Sequence, residues 1–327
     1  MEKESIQNKI IVILGPTSSG KSDIAIKLAK KFDGEIISAD SRQVYREMDI
    51  GTGKVEGRFV GSRTSNWKSN SQNIRHHMIN IISPRTAFNV AKFKKQSEKI
   101  IANILHRGKL PIICGGTGFW IQAIVDDIDF PEVKPNWQLR KKLEEYSTKR
   151  LFVMLKKLDS QRAKNIDAKN KVRIIRAIEI AEVLGSVPEI NNSKFVIRNS
   201  DKKYPSYQLL ITNYNILQIG LKLSKDKLHK NIEKRVMSRF KQGMTKEVAK
   251  LHRQGLSWKK IQSFGLAYFW IPLYLQKKMT KNELVEKVIQ AEKNYAKRQM
   301  TWFKRDKRIS WIKNYKDAER RFKKFLE

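Results

Sequence analysis

Eight residues, Gly15-Pro16-Thr17-Ser18-Ser19-Gly20-Lys21-Ser22, follow directly on the apolar run Ile10-Ile11-Val12-Ile13-Leu14. The run reads as a buried strand, and the helical spacing of Asp23-Ile24-Ala25-Ile26-Lys27-Leu28-Ala29 places the glycines at a strand-to-helix turn. Gly15 and Gly20 let the backbone curl so that its N–H groups face inward, and the new helix adds the positive end of its dipole. Lys21 supplies a point charge for terminal phosphates, and the Ser22 hydroxyl is placed to ligate Mg²⁺, which usually keeps several waters. The chemistry this loop dictates is the binding of a di- or triphosphate.

A second group of polar residues gathers where Glu35-Ile36-Ile37-Ser38-Ala39, a second short strand, ends at Asp40 and Ser41. In open α/β sheets ligands bind at this carboxyl edge, so Asp40 falls on the side of the phosphate loop. His77–Ile82 reads as a third strand, Val90–Arg107 as a helix and Leu110–Cys114 as a further buried strand. Alternating strands and helices predict an α/β fold, a P-loop NTPase-like parallel sheet flanked by helices. Between Gly53 and Ile74 the chain is polar and rich in Gly, Ser and Asn, and reads as a long loop. From about Asp126 the strand rhythm stops, and helical patterns at Trp137–Tyr146, Asp159–Asn165 and Lys171–Leu184 predict a helical insertion over 127–205. The sheet resumes at Tyr207–Thr212, and amphipathic helices follow at Lys225–Gln254 and Lys281–Trp302. The core is therefore expected from 1–126 and 206–327.

The bulk composition narrows the partners. The chain of 327 residues, 40% of them hydrophobic, is long enough to bury a full core. Its apolar runs fall short of the ~18 residues a membrane span needs, and Met1-Glu2-Lys3-Glu4-Ser5 lacks a signal-peptide core, so a cytoplasmic, non-membrane protein is expected. Cys114 is the only cysteine, which excludes an intrachain disulfide and cysteine-based zinc. The 68 Lys and Arg against 32 Asp and Glu give a net charge of +36, a field that attracts polyanions, above all nucleic acid. A lysine-rich solvated surface is the plainer alternative. Residues 293–327 carry 13 basic and 4 acidic side chains interleaved with Tyr295, Trp302, Phe303, Trp311 and Tyr315, a mixture suited to backbone and base contacts.

Further segments define a resemblance: Asp40-Ser41-Arg42-Gln43-Val44-Tyr45, Met48-Asp49-Ile50-Gly51-Thr52-Gly53-Lys54, Gly115-Gly116-Thr117-Gly118, Ile232–Val236 and Tyr295–Phe303. Together with the phosphate loop they resemble the tRNA dimethylallyltransferase (tRNA isopentenyltransferase) family, in order and over nearly the whole chain. The resemblance implies transfer of a dimethylallyl group from its diphosphate to N6 of adenosine 37 in tRNAs that read codons beginning with U. It further implies that no ATP is hydrolysed, that the phosphate loop holds the donor's diphosphate, and that the enzyme is a monomer acting on the tRNA anticodon stem-loop.

An exocyclic adenine amine is a poor nucleophile, so its attack is helped by a base, and Asp40 is the candidate; an N-cap is its alternative role. Charge builds on the diphosphate as it leaves, and Lys21, Mg²⁺ near Ser22, Thr117 and Arg235 would stabilise it. From spacing alone Arg235 is a solvated helix charge, and the resemblance is what promotes it. The resemblance also implies tRNA contacts from Asp40, Ser41, Arg42, Gln43, Arg140, the segment Val172-Arg173-Ile174-Ile175-Arg176, and Gln262 and Gly265. Arg173 and Arg176 share a helix face suited to phosphates, and could equally pair with Glu179 and Glu182.

Three positions depart from the family pattern. Leu266-Ala267 stands where an aromatic and a basic residue are usual, with Tyr268 one place further on, a shift of ~100° on a helix. Lys171 and Asn80 replace usual acidic residues. Other readings of the phosphate loop are an adenylate isopentenyltransferase, a P-loop small-molecule kinase and an RNA-binding protein with a degenerate site; the first two leave the +36 charge and the basic tail without a role.

Overall fold

The computed structural model describes residues 8–59, 67–69, 73–188 and 214–327. By contacts the chain divides into two units, Met1–Val125 with Phe195–Glu327, and Asp126–Lys194. The first begins with β1 (Lys9–Leu14), α1 (Lys21–Lys31) and β2 (Gly34–Ala39), then a ribbon of β3 (Gly57–Phe59) and β4 (Trp67–Ser69). It continues through β5 (Arg75–His77), α2 (Val90–His106), β6 (Leu110–Gly115) and α3 (Gly118–Val125). The second unit holds α4 (Trp137–Glu144), α5 (Thr148–Leu158), α6 (Ser160–Asn165) and α7 (Lys171–Leu184). The first unit resumes with β7 (Asn215–Leu221), α8 (Lys225–Lys241), α9 (Met244–Arg253), α10 (Trp258–Gln262) and α11 (Ala267–Leu275). It closes with α12 (Lys281–Phe303), β8 (Ser310–Ile312) and α13 (Tyr315–Leu326).

One sheet runs β3-β4-β5-β2-β6-β1-β7-β8, parallel from β5 to β8, with the β3–β4 ribbon antiparallel at the edge. Successive strand side chains face opposite sides, and β1 shows why its run is unbroken apolar. Ile10, Val12 and Leu14 join the core that also holds Phe93, Trp120, Ile232, Val236 and Val288. Ile11 and Ile13 join Ile24, Leu28 and Phe322 on the other face. Both faces are covered, as a parallel sheet requires. Among the described residues no helix is long and apolar enough to cross a membrane.

Several elements differ from expectation. The third strand stops at His77 because Met78 (φ 62°) and Asn80 (φ 56°) take left-handed backbone, which no strand accommodates. Beyond them Ile82 makes only an isolated bridge to Tyr45. The span Gly53–Ile74 is not all loop, since β3 and β4 lie in it. Lys225–Gln254 is two helices, parted at Gly243, whose φ of 98° suits glycine. The strand expected at Tyr207–Thr212 lies outside the described residues, and β7 is the strand beside β1.

Glu35, buried at the start of β2, ties the sheet edge together. Its carboxylate bonds His77 Nε2 (2.7 Å) and accepts from Arg107 Nη1 (2.5 Å) and Nη2 (2.7 Å). Burial alone would raise its pKa, but the bonds from His77 and Arg107 outweigh it and lower the value from 4.5 to about 2. A carboxylate depressed in the folded state contributes stability above its unfolded pKa and loses it as pH falls through the folded one. The urea midpoint is therefore expected to drop between about pH 4.5 and pH 2, and Glu35→Gln to be less stable at pH 7 and to flatten that drop.

In the second unit Ile174 and Ile175 pack with Leu143, Leu151 and Leu155 in its own core. Of the segment expected to contact RNA, these two side chains are therefore turned inward. Arg140 Nε and Nη2 bond the buried Glu179 at 2.9 and 2.7 Å, and Arg176 pairs with the same carboxylate. Of the two roles open to Arg176, the structure shows the ion pair. Val172 is 77% exposed, and Arg173 donates its backbone N–H to the N-cap Asn170.

Candidate active site

The turn after β1 is built as its glycines predict. Gly20, at φ 90°, caps α1, so Lys21 and Ser22 occupy the first helical turn, two residues earlier than the spacing predicts. Ser19 donates its N–H to the Pro16 carbonyl at 3.3 Å, and the Ser19 hydroxyl is buried with no protein partner among the described residues. An unpaired buried hydroxyl in an N–H-rich loop is a group waiting for an acceptor. Lys21 Nζ donates to the Pro16 carbonyl at 3.2 Å, and burial, aided by the Arg235 charge, lowers its pKa.

Two helices from the far end of the chain hold this loop. From α12, Gln299 Oε1 accepts the Thr17 N–H (2.8 Å) while its Nε2 donates to the Gly116 carbonyl (2.8 Å). From α8, Asn231 Nδ2 donates to the Ser18 carbonyl at 3.2 Å. One turn on, Arg235 reaches Thr17 Oγ1 (3.4 Å) and the Gly53 carbonyl (3.1 Å). Arg235 is pushed down to about 10, first by burial and then by the neighbouring Arg239. Gln299 lies in the segment Tyr295–Phe303 that carries the resemblance, but that segment gives it no role, and Asn231 lies in no such segment; their partners are 282 and 213 residues away.

Asp40 closes the β2 end. Its Oδ1 accepts the N–H groups of Arg42 (2.8 Å) and Gln43 (3.4 Å), which fixes the carboxylate on a short turn. The capping role and a place in the site therefore coexist. Thr117 receives the Ser41 N–H on Oγ1 at 3.1 Å and hydrogen-bonds the phenol of Tyr295, which burial raises well above its ordinary pKa. Arg42 Nε donates to the Phe264 carbonyl (2.8 Å), and Gln43 bridges Ser38 Oγ (3.0 Å) and the Gly53 carbonyl (3.4 Å).

These groups surround one cavity of about 250 Å³, lined by Thr17, Lys21, Ser22, Asp40, Ser41, Arg42, Gln43, Arg235 and Gly265 among others. Five basic side chains, Lys21, Arg42, Arg235, Arg239 and Arg298, face it against two carboxylates, Asp40 and Glu292. The wall is cationic and suits a polyanion. Ser18, Ser19 and Gly20 line an adjoining groove that shares Lys21, Ser22 and Arg235. Cys114 also faces the cavity, but burial raises its thiol to about 11, so it stays protonated. Gln262 is not on the cavity wall; its amide lies 3.5 Å from the Phe269 carbonyl. Tyr268, in the first turn of α11, is on the wall, as is Leu266 before it. The Tyr268 hydroxyl donates to Glu247 Oε1 at 2.8 Å, and Glu247 also accepts the N–H groups of Asp49, Ile50 and Gly51.

Gly53 sits at φ 60°, and a Cβ there would come within 2.2 Å of both Arg235 Nη2 and Arg239 Nη2. Gly53→Ala should displace the guanidinium groups and also strain the left-handed backbone at this position. Pyrophosphate affinity by calorimetry is expected to fall about tenfold, the loss of a hydrogen bond to a charged group, and the melting temperature to fall modestly, reflecting the roughly 1 kcal/mol that left-handed backbone costs a residue with a side chain.

A glycine-bounded loop at the tip of a central parallel strand, with cations converging on it, defines a P-loop α/β protein. The profile of the IPP transferase family matches residues 43–306. The "tRNA dimethylallyltransferase" of Acetivibrio thermocellus is 36% identical over 309 residues, covering 93% of this chain and 91% of the relative. The solved tRNA isopentenylpyrophosphate transferase of Bacillus halodurans covers 98% of this chain and is itself 97% covered, at 29% identity and TM-score 0.67. The tRNA Δ(2)-isopentenylpyrophosphate transferase of Staphylococcus epidermidis aligns at 35% identity and TM-score 0.61, over 94% of this chain and 93% of its own. The chain belongs to the IPP transferase family.

Proposed function

We propose that this chain transfers a dimethylallyl group from dimethylallyl diphosphate to N6 of adenosine 37 in the anticodon stem-loop of tRNAs reading codons that begin with U. The observation that carries this reading is the convergence of Lys21, Arg235 and Asp40 on one cavity. A cationic cradle after β1 and a carboxylate after β2, at the same carboxyl edge of the sheet, suit a reaction in which a diphosphate leaves as an amine loses a proton. The allylic C–O bond breaks, N6 bonds the freed carbon, and the N6 proton passes to Asp40. Lys21 and Arg235 hold the departing diphosphate, and Thr117, through the Ser41 N–H and Tyr295, keeps the Asp40 turn beside it.

The donor set fits Mg²⁺. Ser22 offers a hard hydroxyl oxygen on the cavity wall, and among the described residues no three His, Cys, Asp or Glu side chains form a cage. Mg²⁺ at Ser22 would then be held mainly by the donor's phosphates and water, its usual habit, and would offset diphosphate charge. The donor-side groups all come from one chain, so a monomer suffices, and the substrate places the reaction in the cytosol.

Radiolabelled dimethylallyl diphosphate incubated with Mg²⁺ and unmodified tRNA bearing A36-A37-A38, with AMP in parallel, tests the proposal. Label in tRNA, lost in Asp40→Ala, is the expected result. Label in AMP alone would make the protein an adenylate isopentenyltransferase, and no label in either would remove the prenyl-transfer reading. With a net charge of +36, the tRNA dissociation constant is expected to rise at least about tenfold between roughly 50 and 200 mM salt in a filter-binding titration.

A further inference from the structure

The proposed mechanism leaves a buried pair on the cavity wall unused. Arg239 on α8 and Glu292 on α12 are 6% and 3% exposed, both line the cavity, and Arg239 Nη1 donates to Glu292 Oε1 at 3.0 Å. Arg239 Nε is buried and has no hydrogen-bond partner among the described residues. Its Nη2 crowds the same point above Gly53 as Arg235 Nη2. Two guanidinium groups therefore abut in a buried wall, and Glu292 pairs with one of them, Arg239.

A buried charge left uncompensated is unfavourable, and a structure that keeps one commonly does so for a ligand of the opposite sign. The order of contacts along α8 gives the direction. Asn231 touches Ser18, Arg235 touches Thr17 and Gly53, and Arg239, one turn further, abuts Gly53 and Glu292. Each turn advances about 5.4 Å, so the cations extend from the phosphate loop toward the reacting end of the cavity.

We infer that Arg239, aimed by Glu292, is a second diphosphate-binding guanidinium that acts on the phosphate nearest the allylic carbon. The inference rests on the reading of the cavity as a prenyl-diphosphate site. Arg235 and the loop hold the terminal phosphate, while Arg239 meets the oxygen on which charge accumulates as the C–O bond breaks. Glu292 is the positioning residue, since it occupies one edge of the guanidinium and leaves the Nε edge to the ligand.

The experiment separates a ligand contact from a merely structural pair. Removing one member of a buried pair destabilises the fold, whereas replacing both by uncharged residues is often neutral. Inorganic pyrophosphate binding by calorimetry, melting temperature, and kcat and KM for the donor are measured for the parent, Arg239→Met, Glu292→Thr, the double variant and Lys21→Ala. The double variant is expected to regain most of the parent's melting temperature while its pyrophosphate affinity stays at least tenfold weaker and its kcat stays reduced. A double variant that binds pyrophosphate and turns over like the parent overturns the inference and leaves the phosphate-loop reading standing. A parent that binds no more pyrophosphate than Lys21→Ala removes both.

Discussion

Asp40→Asn is expected to lower kcat for prenyl transfer by about 10² to 10⁴-fold, the range for loss of a positioned base, while tRNA affinity changes little. Asn is the informative substitution because it keeps the acceptor that fixes the turn. Asp40 Oδ1 accepts the N–H groups of Arg42 and Gln43, and an amide oxygen can accept both. The amide cannot take up the proton that N6 must lose. Asp40→Ala removes acceptor and base together, so it should lose stability as well as rate. Single-turnover kinetics with saturating donor and tRNA isolate the chemical step. A fall in kcat with unchanged tRNA binding in Asp40→Asn assigns the base. An Asn variant as fast as the parent would reduce Asp40 to a capping residue.

What could be read from the sequence was what is local. The phosphate loop lies between a strand and a helix that each declare themselves within a dozen residues, and the glycine at φ 90° is itself the signal. Asp40 was legible for the same reason, as the residue on which a short buried strand ends. The groups that hold these in place were not legible. Gln299 stands in the segment Tyr295–Phe303 that carries the resemblance, yet nothing in that segment says that it bridges Thr17 and Gly116. Arg239, at the fourth position from Arg235, carries no signal in the sequence, because its burial depends on packing of α8 with α12. The third strand was overextended because β-branched content cannot reveal that Met78 and Asn80 are left-handed. That Tyr268 lines the cavity was not legible either, since it depends on how α11 packs against α9.

Lys21→Met should lower kcat/KM for the donor by about 10² to 10³-fold, the effect of losing one preorganised donor to a developing anion. Lys21 sits in the first turn of α1, where helix dipole and loop N–H groups already favour an anion, and Met keeps its apolar stem while removing the charge. Its ammonium is less stable than an ordinary one because burial and Arg235 oppose it, whereas Asp40 partly offsets them. A bound diphosphate favours the charged form, so donor binding and protonation of Lys21 reinforce each other. In the parent the donor KM should therefore begin to rise at a pH below the 10.5 of an unperturbed lysine. In Lys21→Arg that rise should move to higher pH, because guanidinium stays charged, although the fork geometry differs from that of a point charge and kcat should remain reduced. Parallel pH profiles of donor KM for the parent and Lys21→Arg decide it. Coincident profiles would assign the pH dependence to another group and leave Lys21 as an anchor of the Pro16 carbonyl, to which its Nζ donates.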